Sequence, residues 1–466
     1  MIIEEIILHP EIQNGMRFNV LTRYVGVSLI LLSLMMAVSG VVSLVYADEG
    51  VMPLFVSAFL TFVVGTYPMI FVSRVDNVTT REGVAIVVLS WLSCCLFGMI
   101  PYVCYGGEFS LVNSFFESVS GFTTTGASIL DDIEALPHGL LFWRASTAWV
   151  GGLGIVSIFS LVIPRSMDRK AVLSSAELSD IAKSQSSRPG KQFIWSMLRV
   201  YIVLTVVCTL LLKLAGMGWF DAVTNAMSTC STCGFCVRNA SIAAYDSLAV
   251  EMITIIFMTV SSISFIHIYS FVLGKWKRPH TMSASTLAFL GFLSVMSVAI
   301  AFNLSLNEDI PFINALRPAT FQVCSITTTT GFATADTNIW PSFSIVLLVV
   351  ASIVCGCSGW TSGGIKMDRV VLLFSYVKYG SRKAVNPYLV SMTRVDGKFV
   401  DDTVVADTMK FVLLYALLLI AGSVLNTMGG LDLKTGISAS VACLGNVGPG
   451  FGQVGSVGNY ADFPTL

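Results

Sequence analysis

Charge is scarce in this sequence. Asp, Glu, Lys and Arg make up 12% of its 466 residues, against roughly 25% in an ordinary soluble domain. A string of two or three soluble domains, which the length alone would allow, is therefore excluded. The formal net charge of -1 leaves no basic footprint for nucleic acid. Histidine is almost missing: His9, His138, His267 and His280 are the whole set, and none sits in a spacing that makes a zinc site. No G-x-S-x-G elbow, strand–helix G-x-G-x-x-G unit or Walker A motif occurs. Neither a hydrolase elbow nor a nucleotide-binding fold is written here, and ATP would have to act through a partner. The first 16 residues hold Glu4, Glu5 and Glu11 without Lys or Arg, the wrong flank for a cleavable signal. The 11 cysteines are scattered through apolar stretches, as small buried hydrophobes are, and no disulfide framework is expected.

Apolar length is what the chain has. Hydrophobic residues reach 55% and mean hydropathy is +0.79. Runs long enough to cross about 30 Å of hydrocarbon fall near 25–47, 51–73, 83–105, 139–163, 194–218, 247–274, 284–304, 341–360 and 405–427. The expected fold is an all-α integral membrane protein. Four further segments, 111–121, 219–229, 313–326 and 435–443, are apolar but too short to span, as re-entrant segments are. Non-helical backbone at membrane depth must line a wet cavity or be buried in protein, so these four suggest a pore.

Charge placement sets the expected orientation. Arg165, Arg169, Lys170, Lys183, Arg188 and Lys191 crowd one loop, Lys275, Lys277 and Arg278 another, and seven basic residues lie in 366–398. Residues 106–137 carry five acids and no Lys or Arg. By the positive-inside rule the basic loops and the N-terminus are cytoplasmic and the acidic loops external.

The short segments end alike. They run into SGFTTTGAS with Gly126, STCSTCGFC with Gly234, CSITTTTGFATAD with Gly331 and ACLGNVGPGFG with Gly448. Six residues before each glycine stands a small residue: Ser120, Ser228, Ser325 and Ala442. Each unit reads as long helix, short helix, glycine stretch, long helix. The units lie at 76–165, 190–275, 280–380 and 400–466. A two-helix region at 1–75 precedes them, and 166–189 and 381–399 are cytoplasmic connections. Four pseudo-symmetric helix–pore-loop–helix repeats can close one pore in a single chain. Glycine lets backbone carbonyls aim at an axis, where they can replace a cation's hydration shell. The flanking hydroxyls can satisfy backbone groups or face the ion. An inverted-repeat secondary transporter of a small solute is the alternative, although it would show two-fold rather than four-fold internal symmetry.

These stretches resemble the filter loops of the Trk/Ktr/HKT superfamily of potassium transporters, and the two leading helices resemble its Trk branch. The resemblance covers the whole chain. It implies potassium uptake across the bacterial inner membrane and no enzymatic chemistry. The filter residues it implies are Thr125, Gly126, Cys233, Gly234, Thr330, Gly331, Val447 and Gly448, whose carbonyls would hold K+. With one key glycine per loop, selectivity is expected to be looser than in a TVGYG filter. Cys233 stands where the family usually has Gly or Ala. The resemblance further implies a homodimer with one pore per chain, contact with membrane lipid, and a TrkA-like cytoplasmic regulatory subunit that carries the nucleotide and gates the pore. Whether transport is channel-like or coupled to H+ or Na+ stays open.

Residues 355–366, CGCSGWTSGGIK, interrupt the expected span at 341–360. Glycine clusters break membrane helices. The stretch is similar to the family's GSTAGGIK-type loop, with Trp360 replacing a small hydroxyl residue, and so implies an intramembrane gate at Gly356, Gly359, Gly363 and Gly364. A close-packing glycine patch is the other reading. Cys230, Cys233 and Cys236 form C-x2-C-x2-C, but no fourth ligand for a metal cluster is near in sequence. Arg144 and Arg317 are intramembrane charges, by default functional, unless they snorkel or pair with an external acid. By the repeat, a further helix of about 20–25 residues is expected after Leu466.

Overall fold

The computed structural model describes residues 17–73, 79–154, 190–263, 283–358, 362–386, 388, 393–396 and 398–464. Its helices are α1 (Phe18–Tyr46), α2 (Val51–Phe71), α3 (Thr80–Gly98), α4 (Ile100–Tyr105), α5 (Leu111–Phe122), α6 (His138–Gly152), α7 (Gly190–Leu214) and α8 (Trp219–Ser231). They continue as α9 (Leu248–Ser261), α10 (Ala284–Asn307), α11 (Phe312–Thr327), α12 (Ser342–Val354), α13 (Met367–Val385), α14 (Asp402–Met428) and α15 (Leu433–Gly445). Among the described residues the β-structure is one two-residue antiparallel pair, Arg394–Val395 with Lys398–Phe399. The architecture is all-α and multi-spanning.

Among the described residues, six helical segments have the length and hydropathy to cross a membrane: 18–46, 51–71, 81–105, 195–214, 284–307 and 402–428. Nine spans are expected from sequence, and the other three differ. The span expected at 139–163 is described only to Gly154 and forms a 15-residue helix. That expected at 247–274 is described to Ile263 and forms a 14-residue helix. The one at 341–360 stops at Val354, because Cys355 turns to φ 59°. The basic loop residues Arg165–Arg188 and Lys275–Arg278 lie outside the described residues.

Local chemistry fixes the ends. The α1–α2 hairpin crosses at a glycine pair: a Cβ on Gly26 would lie 2.6 Å from the Gly65 carbonyl oxygen, so the two backbones nearly touch. The start of α3 is a capping box between Thr79 and Glu82, and Arg17 donates to the same carboxylate at 2.7 Å, tying α3 to α1. The third span breaks at Met99, ahead of Pro101. Trp143 donates its indole N–H to the freed Gly98 carbonyl at 3.2 Å, a local remedy for a broken ladder.

The buried apolar residues form two main bodies. One joins the second and third units with Leu153 of the first and Val447 and Phe451 of the fourth; the other joins α1–α2 with the first unit and with Ala439, Val454 and Tyr460 of the fourth. Of the short helices, α8 and α11 contribute to the first body and α5 and α15 to the second.

Candidate functional site: a ring of four glycine loops

All four short helices end in the same motif. The residue two before each glycine is left-handed: Thr124 (φ 59°), Thr232 (54°), Thr329 (58°) and Asn446 (61°). Their N–H groups donate to the carbonyls of Gly121, Thr229, Ile326 and Cys443. The next N–H groups, of Thr125, Cys233, Thr330 and Val447, reach back to Ser120, Ser228, Ser325 and Ala442 at 2.8–3.0 Å. This pair of bonds is the Schellman cap. The small residue six before each glycine is thus the acceptor that turns the chain out of the helix.

The glycines themselves sit at φ 77° (Gly126), 85° (Gly234), 83° (Gly331) and 89° (Gly448). A Cβ on Gly126 would lie 1.8 Å from the carbonyl oxygen of Cys233. On Gly234 it would lie 2.0 Å from that of Thr330, on Gly331 2.3 Å from that of Val447, and on Gly448 2.4 Å from that of Thr125. Each glycine therefore abuts the next loop in order, and the fourth returns to the first. The contacts close a ring of four loops in which no side chain fits at any of the four glycines. Among the described residues, no hydrogen bond reaches the carbonyl oxygens of Thr125, Cys233, Thr330 or Val447. Buried carbonyls without a donor are uncommon, and four at one centre form an electronegative girdle. The helix C-termini behind it add the negative ends of their dipoles.

A second ring braces the ascending strands. Asn239 and Arg238 bind Asp132 and Glu134, linking loops one and two. Ala243 donates to the Ala333 carbonyl, linking two and three. Asn338 exchanges two hydrogen bonds with Gly452, linking three and four. The N–H of Tyr460 donates to the Ser128 carbonyl at 2.9 Å, returning to loop one. At the ring itself Asn446 bridges loop four to loop one. Its amide donates to the Thr123 carbonyl at 2.8 Å and accepts from the Thr125 hydroxyl at 2.6 Å.

Sequence reasoning missed a set nine residues before each glycine: Glu117, Asn225, Gln322 and Ala439. Glu117 accepts from the Ile129 N–H, Asn225 from the Cys236 thiol, and Gln322 donates to the Ala335 carbonyl, so each pins its ascending strand to its short helix. A buried polar residue at constant offset in apolar segments was the available signal. The left-handed position had one signal only, Asn446. Cys233 contributes its backbone to the ring, and among the described residues no three His, Cys, Asp or Glu gather as metal ligands. Arg144 pairs with Glu117, and Arg317 makes two hydrogen bonds to Glu251, both under 3 Å.

The broken span places a loop against the ring's capped side. Backbone bonds from Ile365 to Ile353, Lys366 to Val354 and Met367 to Gly356 close its neck at 2.9–3.0 Å. Gly363 donates to the Thr329 hydroxyl at 3.3 Å, and a Cβ on it would lie 2.3 Å from the Gly445 carbonyl oxygen. Cys357 donates to the Ser262 carbonyl, and the Ser262 hydroxyl to that of Thr328. Gly364 lies at φ 66° against the Cys355 sulfur. Gly356 packs on Ser262 and Ser362, while Gly359 lies outside the described residues.

Residues 52–465 match the TrkH family model, described as cation transport protein. The chain belongs to the TrkH family. It is 33% identical to the Trk system potassium uptake protein TrkH of Halomonas elongata over 97% of this chain and 94% of that relative. With the protein of the same description from Escherichia coli it shares 31% identity over 94% and 92%. It is also similar to the crystal structure of the potassium transporter TrkH from Vibrio parahaemolyticus, with a TM-score of 0.85 and 29% identity over 96% of this chain and 93% of that one. The TrkH-family chain is thus a multi-pass cation transport protein of the bacterial inner membrane, with the four-repeat pore architecture, and works by transport rather than by chemistry on a substrate.

Proposed function

We propose that this chain is the potassium-conducting subunit of a bacterial uptake system, with its selectivity filter in the carbonyls of Thr125, Gly126, Cys233, Gly234, Thr330, Gly331, Val447 and Gly448. The closed order of contacts from Gly126 through Gly234 and Gly331 to Gly448 carries this reading. Such a ring presents backbone oxygens to one axis and admits no side chain, which is what replacing a hydration shell requires. The relatives described as potassium uptake proteins support K+ as the cargo. One member differs in its surroundings: the Gly448 carbonyl accepts from the Tyr460 hydroxyl at 2.8 Å, so one of its lone pairs is taken.

The loop of Gly356, Gly359, Gly363 and Gly364 serves as the gate in this reading. Its pinched neck and its seat on Thr329 and Gly445 let it move as a unit against the filter. A cytoplasmic TrkA-like subunit carrying the nucleotide biases it through 381–399, and the functional unit is a homodimer in the bacterial inner membrane with cytoplasmic N-termini. The repeats fall at 76–165, 190–275, 280–380 and 400–466, after the helices of 1–75.

Replacing Gly234 by Ser tests the filter. Its Cβ would stand 2.0 Å from the Thr330 oxygen, so the ring must spread. Relative K+ and Na+ flux is measured in proteoliposomes at equal protein. A lowered K+/Na+ ratio or reduced K+ flux is expected; if both stay at the parent's values, Gly234 does not line the path.

A further inference from the structure

Behind the ring, between the first and second loops, lies a charged pair that the ring's own geometry does not call for. Glu117 of α5 and Arg144 of α6 are 0% and 1% exposed. The Arg144 Nε donates to Glu117 Oε1 at 2.7 Å. The rest of the guanidinium is spent on the ascending strands: Nη2 donates to the Ser128 hydroxyl at 3.2 Å and Nη1 to the Cys236 carbonyl at 3.4 Å. Its Cζ lies over the Phe235 ring, 4.1 Å from the ring centre. Glu117 in turn accepts from Ser128 and from the Ile129 N–H, each at 3.2 Å. Every partner on the strands stands within three residues of Gly126 or Gly234.

Three observations set this pair apart from a structural brace. The equivalent positions in the other repeats are Asn225, Gln322 and Ala439, so the strand can be pinned, or left unpinned from this position, without a charge. A buried ion pair carries a desolvation cost that makes it weak evidence for stability. Finally, the pair bridges two loops of the ring, and both charges are held where water cannot screen them.

We propose that Glu117 and Arg144 are positioning residues that set the potential the permeating cation meets at the first and second loops, and so the apparent affinity for K+. Arg144 organises the two strands, and its positive charge would repel the ion. Glu117 cancels that charge locally. This inference rests on the reading that Gly126 and Gly234 line the ion path.

The signs follow directly. Glu117→Gln leaves an uncompensated cation behind the filter and raises the K+ concentration for half-maximal flux. Arg144→Gln leaves an uncompensated anion and lowers it. For a unit charge about 10 Å from the ion at an effective dielectric constant of about 20, the shift is roughly tenfold in each direction. The double variant is neutral again and returns toward the parent. A brace without an electrostatic role would move both single variants the same way, with no recovery in the double.

The experiment measures initial K+ uptake into proteoliposomes against K+ concentration for the parent, both single variants and the double, with monodispersity by gel filtration beside each. Opposite shifts with recovery support the proposal. Shifts of one sign, or none in monodisperse protein, overturn it. If Arg144→Gln does not assemble, Glu117→Gln is compared with Glu117→Asp, which keeps the charge: a rise for Gln alone supports the proposal and an equal rise overturns it. Gly234→Ser runs alongside, because an unchanged Gly234→Ser refutes the filter reading itself, whereas an altered one with no opposite shifts refutes only the role of the pair.

Discussion

Gly363→Ala isolates the seat of the proposed gate loop from its backbone. Gly363 is not among the glycines with positive φ, so alanine brings no conformational penalty of its own. Its Cβ would lie 2.3 Å from the Gly445 carbonyl oxygen and 2.5 Å from the Asn446 Cβ. Ordinary contact begins near 3.4 Å, so the loop must lift by about 1 Å, because Gly445 and Asn446 belong to the cap of α15. Overpacking of this kind costs about 1–3 kcal/mol. If the cost falls on the seated arrangement and spares the withdrawn one, the open-to-seated ratio rises about 5- to 150-fold. Basal K+ flux into proteoliposomes without any regulatory subunit should rise accordingly, up to the limit set by full opening. Gly380→Ala, on α13 with nothing within 4 Å of the added atom, is the control and should leave flux unchanged. A monodisperse Gly363→Ala protein with the parent's basal flux would refute the reasoning: the loop would then not be a barrier seated on the ring.

Three further outcomes can be measured in the same preparations. Asn446→Gly keeps the left-handed backbone but removes the amide that ties loop four to Thr123 and Thr125; K+/Na+ discrimination should fall while gel-filtration behaviour is kept, and an unchanged ratio removes Asn446 from the filter's support. Tyr460→Phe frees the Gly448 carbonyl, and the loss of one hydrogen bond of about 0.5–1.5 kcal/mol should lower the half-saturating K+ concentration by roughly 2- to 10-fold. Asp432 caps α15 through the Thr435 N–H, and the Thr435 hydroxyl first, with that N–H behind it, holds its carboxyl below the usual 3.8. A lowered folded value means that its stabilisation is present above 3.8 and lost as pH falls through the folded value, so Asp432→Ala should lower thermal stability at pH 7 and match the parent in strong acid.

How far the sequence could be read depended on which physics each feature obeys. The repeat was legible because hydropathy and spacing are local, and the small residue six before each glycine proved to be the Schellman acceptor. The left-handed residues were hidden: Thr124, Thr232 and Thr329 are β-branched, a type that disfavours positive φ, and only the enclosing ring holds them there. Pro101, with Gly98 before it, could have announced the break at Met99, yet hydropathy averaged over it. The seat of residues 355–366 required knowing that Ser262, Thr329 and Gly445 converge, which no local pattern states. The partner of Arg144 was hidden for the same reason, since Glu117 sits on a different helix 27 residues away.

The ring is four-fold in geometry but only two-fold in its side-chain chemistry. In loops one and three the serine hydroxyls of Ser120 and Ser325 donate to the carbonyls of Ala127 and Phe332 at 2.5 and 2.6 Å. The same loops carry the Thr123–Thr125 and Thr328–Thr330 hydroxyl pairs, each at 2.8 Å. Loop two has Cys233, with the Ser228 hydroxyl buried and, among the described residues, without a hydrogen-bond partner, and loop four has Val447 and Ala442. A cation passing the centre could not find four equivalent hydroxyls, because Cys233 and Val447 have none. The Thr125 and Thr330 hydroxyls are engaged with those of Thr123 and Thr328, and that of Thr125 also with Asn446. What repeats four times is the left-handed cap, the glycine and the unpartnered carbonyl before it. In the proposed filter, selectivity falls to backbone geometry, which accounts for Cys and Val standing where Thr stands in the other loops, while all four positions that follow are glycine.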